Sequence, residues 1–500
     1  MNLWLLIILT AFIAILLKAL LFSKPKSNQN SKLPPGPRTV PIISTILWLR
    51  KSTIELESSL RKIRSKFGPI VTIRMASRPF IFVCSQELAH EALVQNGAIF
   101  ADRPNALPTT KILTSNQHNI TSGGYGPTWR ILRRNLTSQI LHPARAKDFS
   151  HGRRWVLHTL LRNLSADSAC DGATVKVANH FHHAMFCLLV YMCFGQKLEE
   201  SEISDIEALQ HRYLTSLSRF QILNVWPFAT KILLRSRWNE LFDLRRRQEQ
   251  VLIPHIRARK HQATEDVSSY VDSLMTLELS ENDNTKRKLT EQEMVTACSE
   301  FFNAGTDTTA TSLQWIMANI VKYPNIQTAI FEEIKVLIEE KAEVEEDDLP
   351  KLPYLKAVVL EGLRRHPPAH FLLPHAVTQE TELGGYTVPR NAIVNFTVAE
   401  MGRDPDVWED PMEFRPERFL MGQEELDVTG NREIKMMPFG AGRRICPGIY
   451  LAMLHLEYYV ANLVWKFEWK VGDGYDVDLA EKEEFTTVMK HPLQVCITPR

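Results

Sequence analysis

Cysteine is sparse in this 500-residue chain. Seven are present (Cys84, Cys170, Cys187, Cys193, Cys298, Cys446 and Cys496), scattered, odd in number and without a Cys-x-x-Cys pair. The pattern offers neither a disulfide framework nor a zinc site, and it suits a reducing compartment. Excess charge of either sign is also missing: 59 Lys and Arg face 57 Asp and Glu, a net +2. With no basic run resembling a nucleic-acid arm, no nucleic-acid partner is expected. No internal repeat and no boundary between two domains is visible. What is present, 44% hydrophobic and 23% charged residues, is the make-up of a chain that buries a core.

Long apolar runs are confined to one place. "LWLLIILTAFIAILLKALLF", Leu3 to Phe22, carries a single charge, Lys18. As a helix it would reach roughly 30 Å, enough for a bilayer core, with Lys18 near one end where its stem can snorkel. Lys24, Lys26, Lys32 and Arg38 follow the run and no positive residue precedes it, so the positive-inside bias leaves the rest of the chain cytosolic. A cleaved signal peptide is disfavoured because its positive n-region and small-residue cleavage site are missing. The expected organisation is an anchor over residues 1–23, a polar and proline-stiffened linker over 24–38, and one catalytic domain over 39–500. The sequons at Asn119, Asn135, Asn163 and Asn395 would then never meet the glycosylation machinery.

Beyond the linker the pattern predicts a mainly α fold with small β-sheets. The strand-like runs are "PIVTIRM" (Pro69 to Met75), "PFIFVC" (Pro79 to Cys84) and "YTVPRNAIVNF" (Tyr386 to Phe396). A long helix is expected from Thr290, which has the capping-box partner Glu293, to Tyr323, before Pro324. Its centre reads "AGTDTTATS". Glycine there costs about 1 kcal/mol against alanine, and a buried carboxylate costs more unless partnered. Either the hydroxyls bond back to the preceding turn and kink the helix, or the stretch is a polar notch facing a ligand. The second reading is preferred.

One short segment concentrates the chemistry: "PFGAGRRICPG", Pro438 to Gly448. Cys446 has positive and conformationally permissive neighbours, as if the backbone passes close to something large and anionic. Upstream, Trp129 and Arg133 stand one helical turn apart, Glu361 and Arg364 are spaced i, i+3, and "PMEFRPERF" adds Arg418.

The order of these motifs resembles that of the microsomal cytochromes P450, haem-thiolate monooxygenases. The family signature F-x-x-G-x-R-x-C-x-G falls on Phe439, Gly442, Arg444, Cys446 and Gly448. A-G-x-D-T-T falls on Ala304 to Thr309, E-x-x-R on Glu361 and Arg364, and P-E-R-F on Pro416 to Phe419. The resemblance implies the P450 fold and haem b with Cys446 as the axial thiolate, a ligand that favours O–O cleavage. It also implies that Phe439 and Arg444 bind the haem, that Trp129, Arg133 and His375 help grip its propionates, and that Asp307 and Thr308 relay protons during oxygen activation. Ala304 and Gly305 would leave room for oxygen and substrate. Glu361, Arg364 and Arg418 would form a structural cluster.

No flavin-binding segment accompanies these motifs, so electrons are expected from membrane-bound NADPH–cytochrome P450 reductase. Arg130, Arg134, Lys435 and Arg443 are candidates for its docking face. "FADRP" (Phe100 to Pro104), "GGYTVP" and longer strings such as "SEFFNAGTDTTATSLQWIMANIVK" look closest to the plant family eighty-nine, subfamily A. That implies a bulky lipophilic substrate, oxidised with O2 at the endoplasmic reticulum membrane. The pocket would be lined by the Ala106 to Gly124 loop, Phe301, Ala304, Ala369 to Pro374 and Phe485 to Val488, with Phe371, Leu372 and Phe485 as an apolar wall. Two other classes compete: an oxygen-independent haem-thiolate isomerase or peroxide-rearranging enzyme, and a non-catalytic haem-binding membrane protein. The intact Asp307–Thr308 pair argues against the first.

Overall fold

The structure, a computed structural model, describes residues 10, 32–37, 48, 51–75, 78–168, 174–261, 269–280, 286–338, 342–420, 426–472 and 474–500. The expected anchor, Leu3 to Phe22, lies outside the described residues except for Thr10. Among the described residues one helix is long and apolar enough to cross a membrane, Val177–Phe194, but 67% of it is buried in the protein interior. The chain divides into two units, Met1–Pro104 with His370–Val407 and Asp427–Ile445, and Asn105–Ala369 with Trp408–Leu426 and Cys446–Arg500.

The first unit is built on a four-stranded sheet. Strand β1 (Ile70–Met75) pairs antiparallel with β2 (Arg78–Val83), Ile70 opposite Val83. Four further strands follow: β3 (His375–Ala376), β4 (Thr381–Leu383), β5 (Tyr386–Val388) and β6 (Ile393–Phe396). Strand β6 lies parallel to β2, with Phe80 opposite Ile393, and antiparallel to β3. The single run read from Tyr386 to Phe396 is therefore two strands. Pro389 cannot donate to a ladder and Asn391 turns the chain at φ +63°. Alternate residues of the sheet face an apolar core that includes Ile81, Val83, Phe100, Val394 and Phe396. Its other face meets helix α1 (Thr53–Phe67), which starts with a Ser52–Glu55 capping box and lays Leu60 over Val71, Ile73 and Phe82.

The second unit is helical, with small sheets at its margins. Its elements include α2 (Pro127–Leu136), α3 (Ser150–Ser168), α4 (Val177–Phe194), α5 (Glu200–Phe220), α6 (Arg235–His261), α7 (Glu291–Lys322), α8 (Pro353–Arg365) and α9 (Ile449–Lys466). Helix α7 is the long helix expected from the sequence, and its ends agree to the residue. Thr290 is the N-cap, in a reciprocal capping box with Glu293, and Tyr323 is the C-cap. It packs against α4, α6, α8 and α9, and most of its length is buried. Phe302 lies between Phe186 and Phe194 of α4, its ring tilted 49° and 51° to theirs with centroids 5.7 and 5.9 Å away. Gly305 serves the same packing, since a Cβ there would stand 2.6 Å from the Leu189 side chain. The notch in α7 is thus opened at Ala304, not at Gly305.

Glu361 on α8 is fully buried. Arg364 Nε and Nη2 donate to its two carboxylate oxygens at 2.6 and 2.8 Å, and Arg418 Nε and the Arg415 amide donate to Oε1 at 3.2 and 2.8 Å. Arg364 also donates to the carbonyls of Pro411 and Glu413 and lies over the Trp408 ring. The cluster pins α8 to the 408–420 segment. Since removing one partner strands the rest as buried charge, Glu361→Gln is expected to cost about 3–5 kcal/mol. Thermal denaturation of the purified full-length protein measures it, and a change within experimental error would show that the cluster is dispensable.

Candidate active site

In the second unit, Cys446 lies half-buried two residues before Gly448, the N-cap of α9. Burial pushes its thiol up, while the Gly448 amide N–H, which donates to the sulfur, and the Arg133 charge oppose that shift. A sulfur beside an amide donor and a cation is prepared to carry negative charge. Arg133 comes from α2 and lies 5.4 Å over the Trp129 ring. Burial pulls its guanidinium down, against the attraction of Cys446. Trp129 Nε1, that indole's one donor, is engaged with the Ile120 carbonyl at 3.0 Å. Trp129 thereby shapes the loop after residue 105, which Glu300 of α7 also holds by accepting from Asn119 Nδ2 and the Ile120 amide.

The α7 notch is in the same unit. Within a helix buried on both sides, Ala304 is exposed and Gly305, Asp307 and Thr308 are half-buried. Thr308 Oγ1 donates to the Ala304 carbonyl at 2.7 Å, and Ser312 Oγ to that of Thr308 at 2.9 Å. The hydroxyls do bond back, as the kink reading expected, and they do so where the helix is open, as the notch reading expected. Phe301, read as pocket-lining, is buried with its ring 5.1 Å from that of Tyr270. The Phe485 to Val488 turn is tied to α7: Trp315 Nε1 donates to the Thr487 carbonyl at 2.8 Å and the Thr311 and Thr486 hydroxyls are 2.8 Å apart, leaving Phe485 49% exposed.

In the first unit, three basic side chains are gathered around one short stretch. Arg444 Nε donates to the Ala101 carbonyl at 2.6 Å, and Arg103 Nη1 to those of Leu373 and Pro374 at 2.9 Å each. His375 Nδ1 lies 2.6 Å from the Phe100 carbonyl, which can only accept, so that nitrogen carries the proton. Burial, Arg103 and Arg444 push His375 down to about 3, and it is neutral at physiological pH. Burial and Arg444 likewise pull Arg103 down to about 9, with Asp102 opposing. Arg103 was missed as a site residue, although "FADRP" was noticed; its partners are backbone carbonyls 270 residues away, which no local pattern reveals.

Gly440 and Gly442 hold φ of +71° and +68°, so the turn before Arg444 needs glycine twice. A Cβ on Gly442 would stand 1.8 Å from the Leu93 carbonyl oxygen. Phe439 is half-buried in this turn, and Phe371 and Leu372 are half-buried, packed against the first unit's apolar cores. Arg130, Arg134, Lys435 and Arg443 are each exposed, Lys435 with Glu433 3.0 Å away.

These groups fit a haem. The positive charge that Arg444 sets beside Arg103 and His375, lowering both, is relieved by carboxylates, which the propionates supply, and the Cys446 sulfur with its amide donor suits iron. Comparison with known proteins agrees. A family model described as Cytochrome P450 matches residues 34–497. The chain is 53% identical over 480 residues to Cytochrome P450 89A9 of Arabidopsis thaliana, covering 94% of each. It is 30% identical over 484 residues to isoflavone 2'-hydroxylase of Medicago truncatula, covering 95% of this chain and 94% of that one. It is also 30% identical over 488 residues to 5-epiaristolochene 1,3-dihydroxylase of Nicotiana tabacum, covering 95% and 94%. A zebra fish cytochrome P450 solved with progesterone shares the fold, with a TM-score of 0.75 at 24% identity over 90% of this chain and 100% of that one. The chain belongs to the cytochrome P450 family. It is a monooxygenase whose cofactor is haem with a cysteine thiolate as axial ligand, and the resemblance to the plant family eighty-nine holds.

Gly442→Ala combines a disfavoured φ with a backbone clash and is expected to destabilise the turn by about 3 kcal/mol or more. Haem bound per protein after purification reads it out, and unchanged loading would show that the turn can relax.

Proposed function

We propose that this enzyme inserts one atom of O2 into a bulky lipophilic plant metabolite, using electrons from membrane-bound NADPH–cytochrome P450 reductase. The observation that carries the reading is the half-exposed Ala304–Thr308 stretch in an otherwise buried helix, in a chain that also carries the cysteine signature. Cys446 is assigned as the axial ligand. The haem, when bound, supplies oxygen activation, which thiolate ligation favours.

The chain's own groups do the rest. The Gly448 amide holds the sulfur and tempers its basicity. Arg444, Arg103 and Arg133, the last lying over the Trp129 ring, offer guanidinium donors to propionates, and His375, whose Nδ1–H goes to the Phe100 carbonyl, gains a second donor at Nε2 only when a propionate's charge favours its protonation. Phe439 supports the turn beside the cysteine. Thr308 spends its hydroxyl proton on the Ala304 carbonyl and keeps its lone pairs outward; rotation about χ1 frees the O–H for delivery. Asp307, half-buried next to it, is the acid that replaces that proton.

The hydroxylase names of two relatives and the exposed Phe485 support an apolar substrate of polycyclic size. Attachment to the endoplasmic reticulum by an anchor over 1–23, a linker over 24–38 and a cytosolic catalytic region over 39–500 follows from the apolar N-terminal run. Exposed Trp226, Phe228, Ile232 and Leu233 add a second apolar surface on the protein that suits a membrane.

The test is expression in microsomes with a plant reductase, supplied with lipophilic plant extracts with and without NADPH. Mass spectrometry should find an NADPH-dependent product heavier by one oxygen. Thr308→Ala should retain the haem but divert NADPH electrons to hydrogen peroxide, and Cys446→Ala should lose the thiolate-type carbon monoxide spectrum. A normal spectrum in Cys446→Ala would remove the ligand assignment.

A further inference from the structure

The carboxylate of Asp307 is reached from the neighbouring helix. His182 Nε2 of α4 lies 3.6 Å from Asp307 Oδ1, slightly beyond hydrogen-bond length and within reach of a small rotation or one bridging water. The other ring nitrogen, His182 Nδ1, is 2.7 Å from Glu207 Oε1 of α5. Glu207 Oε2 is in turn 2.9 Å from His183 Nδ1, and His183 Nε2 is 3.1 Å from Glu200 Oε1. Side-chain exposure is 74% at Glu200 and between 20% and 29% at His183, Glu207, His182 and Asp307. It is a line of ionisable groups leading from solvent to the centre of α7.

The geometry sets the charge state. Each imidazole has a carboxylate beside each of its two ring nitrogens, and an ionised carboxylate only accepts. Glu207 therefore calls for a proton on His182 Nδ1, and the Asp307 carboxylate near Nε2 favours a second proton there, which makes His182 an imidazolium. The electrostatics point the same way. Burial pulls His182 down, but Asp307 and Glu207 outweigh it and hold the ring at about 9. The Cys187 sulfur and Glu207 hold His183 at about 10. Glu207 itself is drawn down to about 2 by the two rings, against burial. The titratable groups around His182 thus come from α4 (His183, Cys187), α5 (Glu200, Glu207) and α7 (Asp307). On the other helices packed on α4, Asp167 of α3 is taken by His180, and His255 of α6 faces Phe194.

We propose that His182 is a positioning residue that holds Asp307 and recharges it with protons drawn from solvent. The imidazolium Nε2–H bond breaks as an O–H bond forms on Asp307; the neutral ring keeps its Nδ1–H toward Glu207, and Nε2, on a side chain 29% exposed, regains its proton from solvent hydronium. No electrons move, and the net result is one proton carried from solvent to Asp307. This rests on the reading that Asp307 and Thr308 deliver protons during oxygen activation.

The test needs no known substrate. The haem-loaded full chain is combined with reductase, NADPH and O2, and hydrogen peroxide is measured per NADPH oxidised. Two-electron reduction to peroxide takes up two protons per O2, whereas four-electron reduction to water takes up four, so poor proton supply favours peroxide. His182→Gln keeps an amide donor for Glu207 but cannot carry a proton. It should raise the peroxide-to-NADPH ratio several-fold with an unchanged carbon monoxide spectrum. The wild-type ratio should climb as pH rises through about 9, where His182 loses its charge, while the variant shows no such limb. Should His182→Gln fail to load haem, Glu207→Gln carries the same test by moving the limb to lower pH.

A second readout is independent of turnover. A histidine raised in the folded state adds stability that is complete below its unfolded value near 6.5 and lost as pH rises through about 9. The melting temperature of His182→Gln should thus lie below wild type at pH 6 and meet it near pH 10. A wild-type peroxide ratio and pH profile in His182→Gln, with no pH-dependent melting gap, would overturn the proposal. If Asp307→Asn and Thr308→Ala are silent as well, the proton-delivery assignment of the notch fails with it; if they are not, only the His182 supply fails.

Discussion

A helix of 32 residues can pass through the interior of a unit only if nearly every side chain on it finds an apolar neighbour or a hydrogen-bond partner. Helix α7 meets that demand along most of its length. Phe302 is wedged between aromatic rings of α4, Gly305 lets Leu189 approach, and Trp315 stacks on His366 at 4.1 Å while its N–H reaches the Thr487 carbonyl. The stretch from Ala304 to Thr308 is where the demand is relaxed. Because the helix is held so firmly on either side, a polar and partly open turn can persist at its centre without unravelling. The loop after residue 105 and the 485–488 turn hang from the same helix, through Glu300 on one side of the notch and Thr311 and Trp315 on the other.

Charge is managed by two opposite devices. Glu361 is an anion sunk to complete burial, tolerable because two guanidinium groups and a backbone amide converge on it. It stiffens structure and has no free capacity for chemistry. The group made by Arg103, His375 and Arg444 is the reverse, an accumulation of basic side chains in which burial and neighbouring charge depress the protonation of Arg103 and His375. The first device stabilises the protein as it stands, and the second concentrates positive charge. The His182–Glu207–His183 line is a third arrangement. There, alternating charges are balanced but remain partly exposed, and so can still exchange protons.

Much of this was legible in the chain. Helix α7 could be bounded to the residue because capping is local: Thr290 and Glu293 are three positions apart, and Pro324 follows the end. The cysteine segment was legible because the constraints on it are also local, positive φ at Gly440 and Gly442 and an amide two residues beyond the sulfur. Strand patterning failed where Pro389 and Asn391 divide one apolar run into two strands, and it missed Phe467–Val471 and Gln494–Pro499, which pair with each other.

What the sequence by itself determined, then, was the family, the thiolate cysteine and the polar interruption of a long helix, since each is written in residues a few positions apart. Tertiary structure decided which way those residues act. It turned Phe301 into core and Ala304 into the open position, and gave the Trp129 indole to Ile120. It brought Arg103 to carbonyls 270 residues distant and set His182 of α4 beside Asp307 of α7. Side-chain direction, burial and pairing between elements depend on how helices and strands pack, and that packing is a property of the whole fold, not of any short window of the chain.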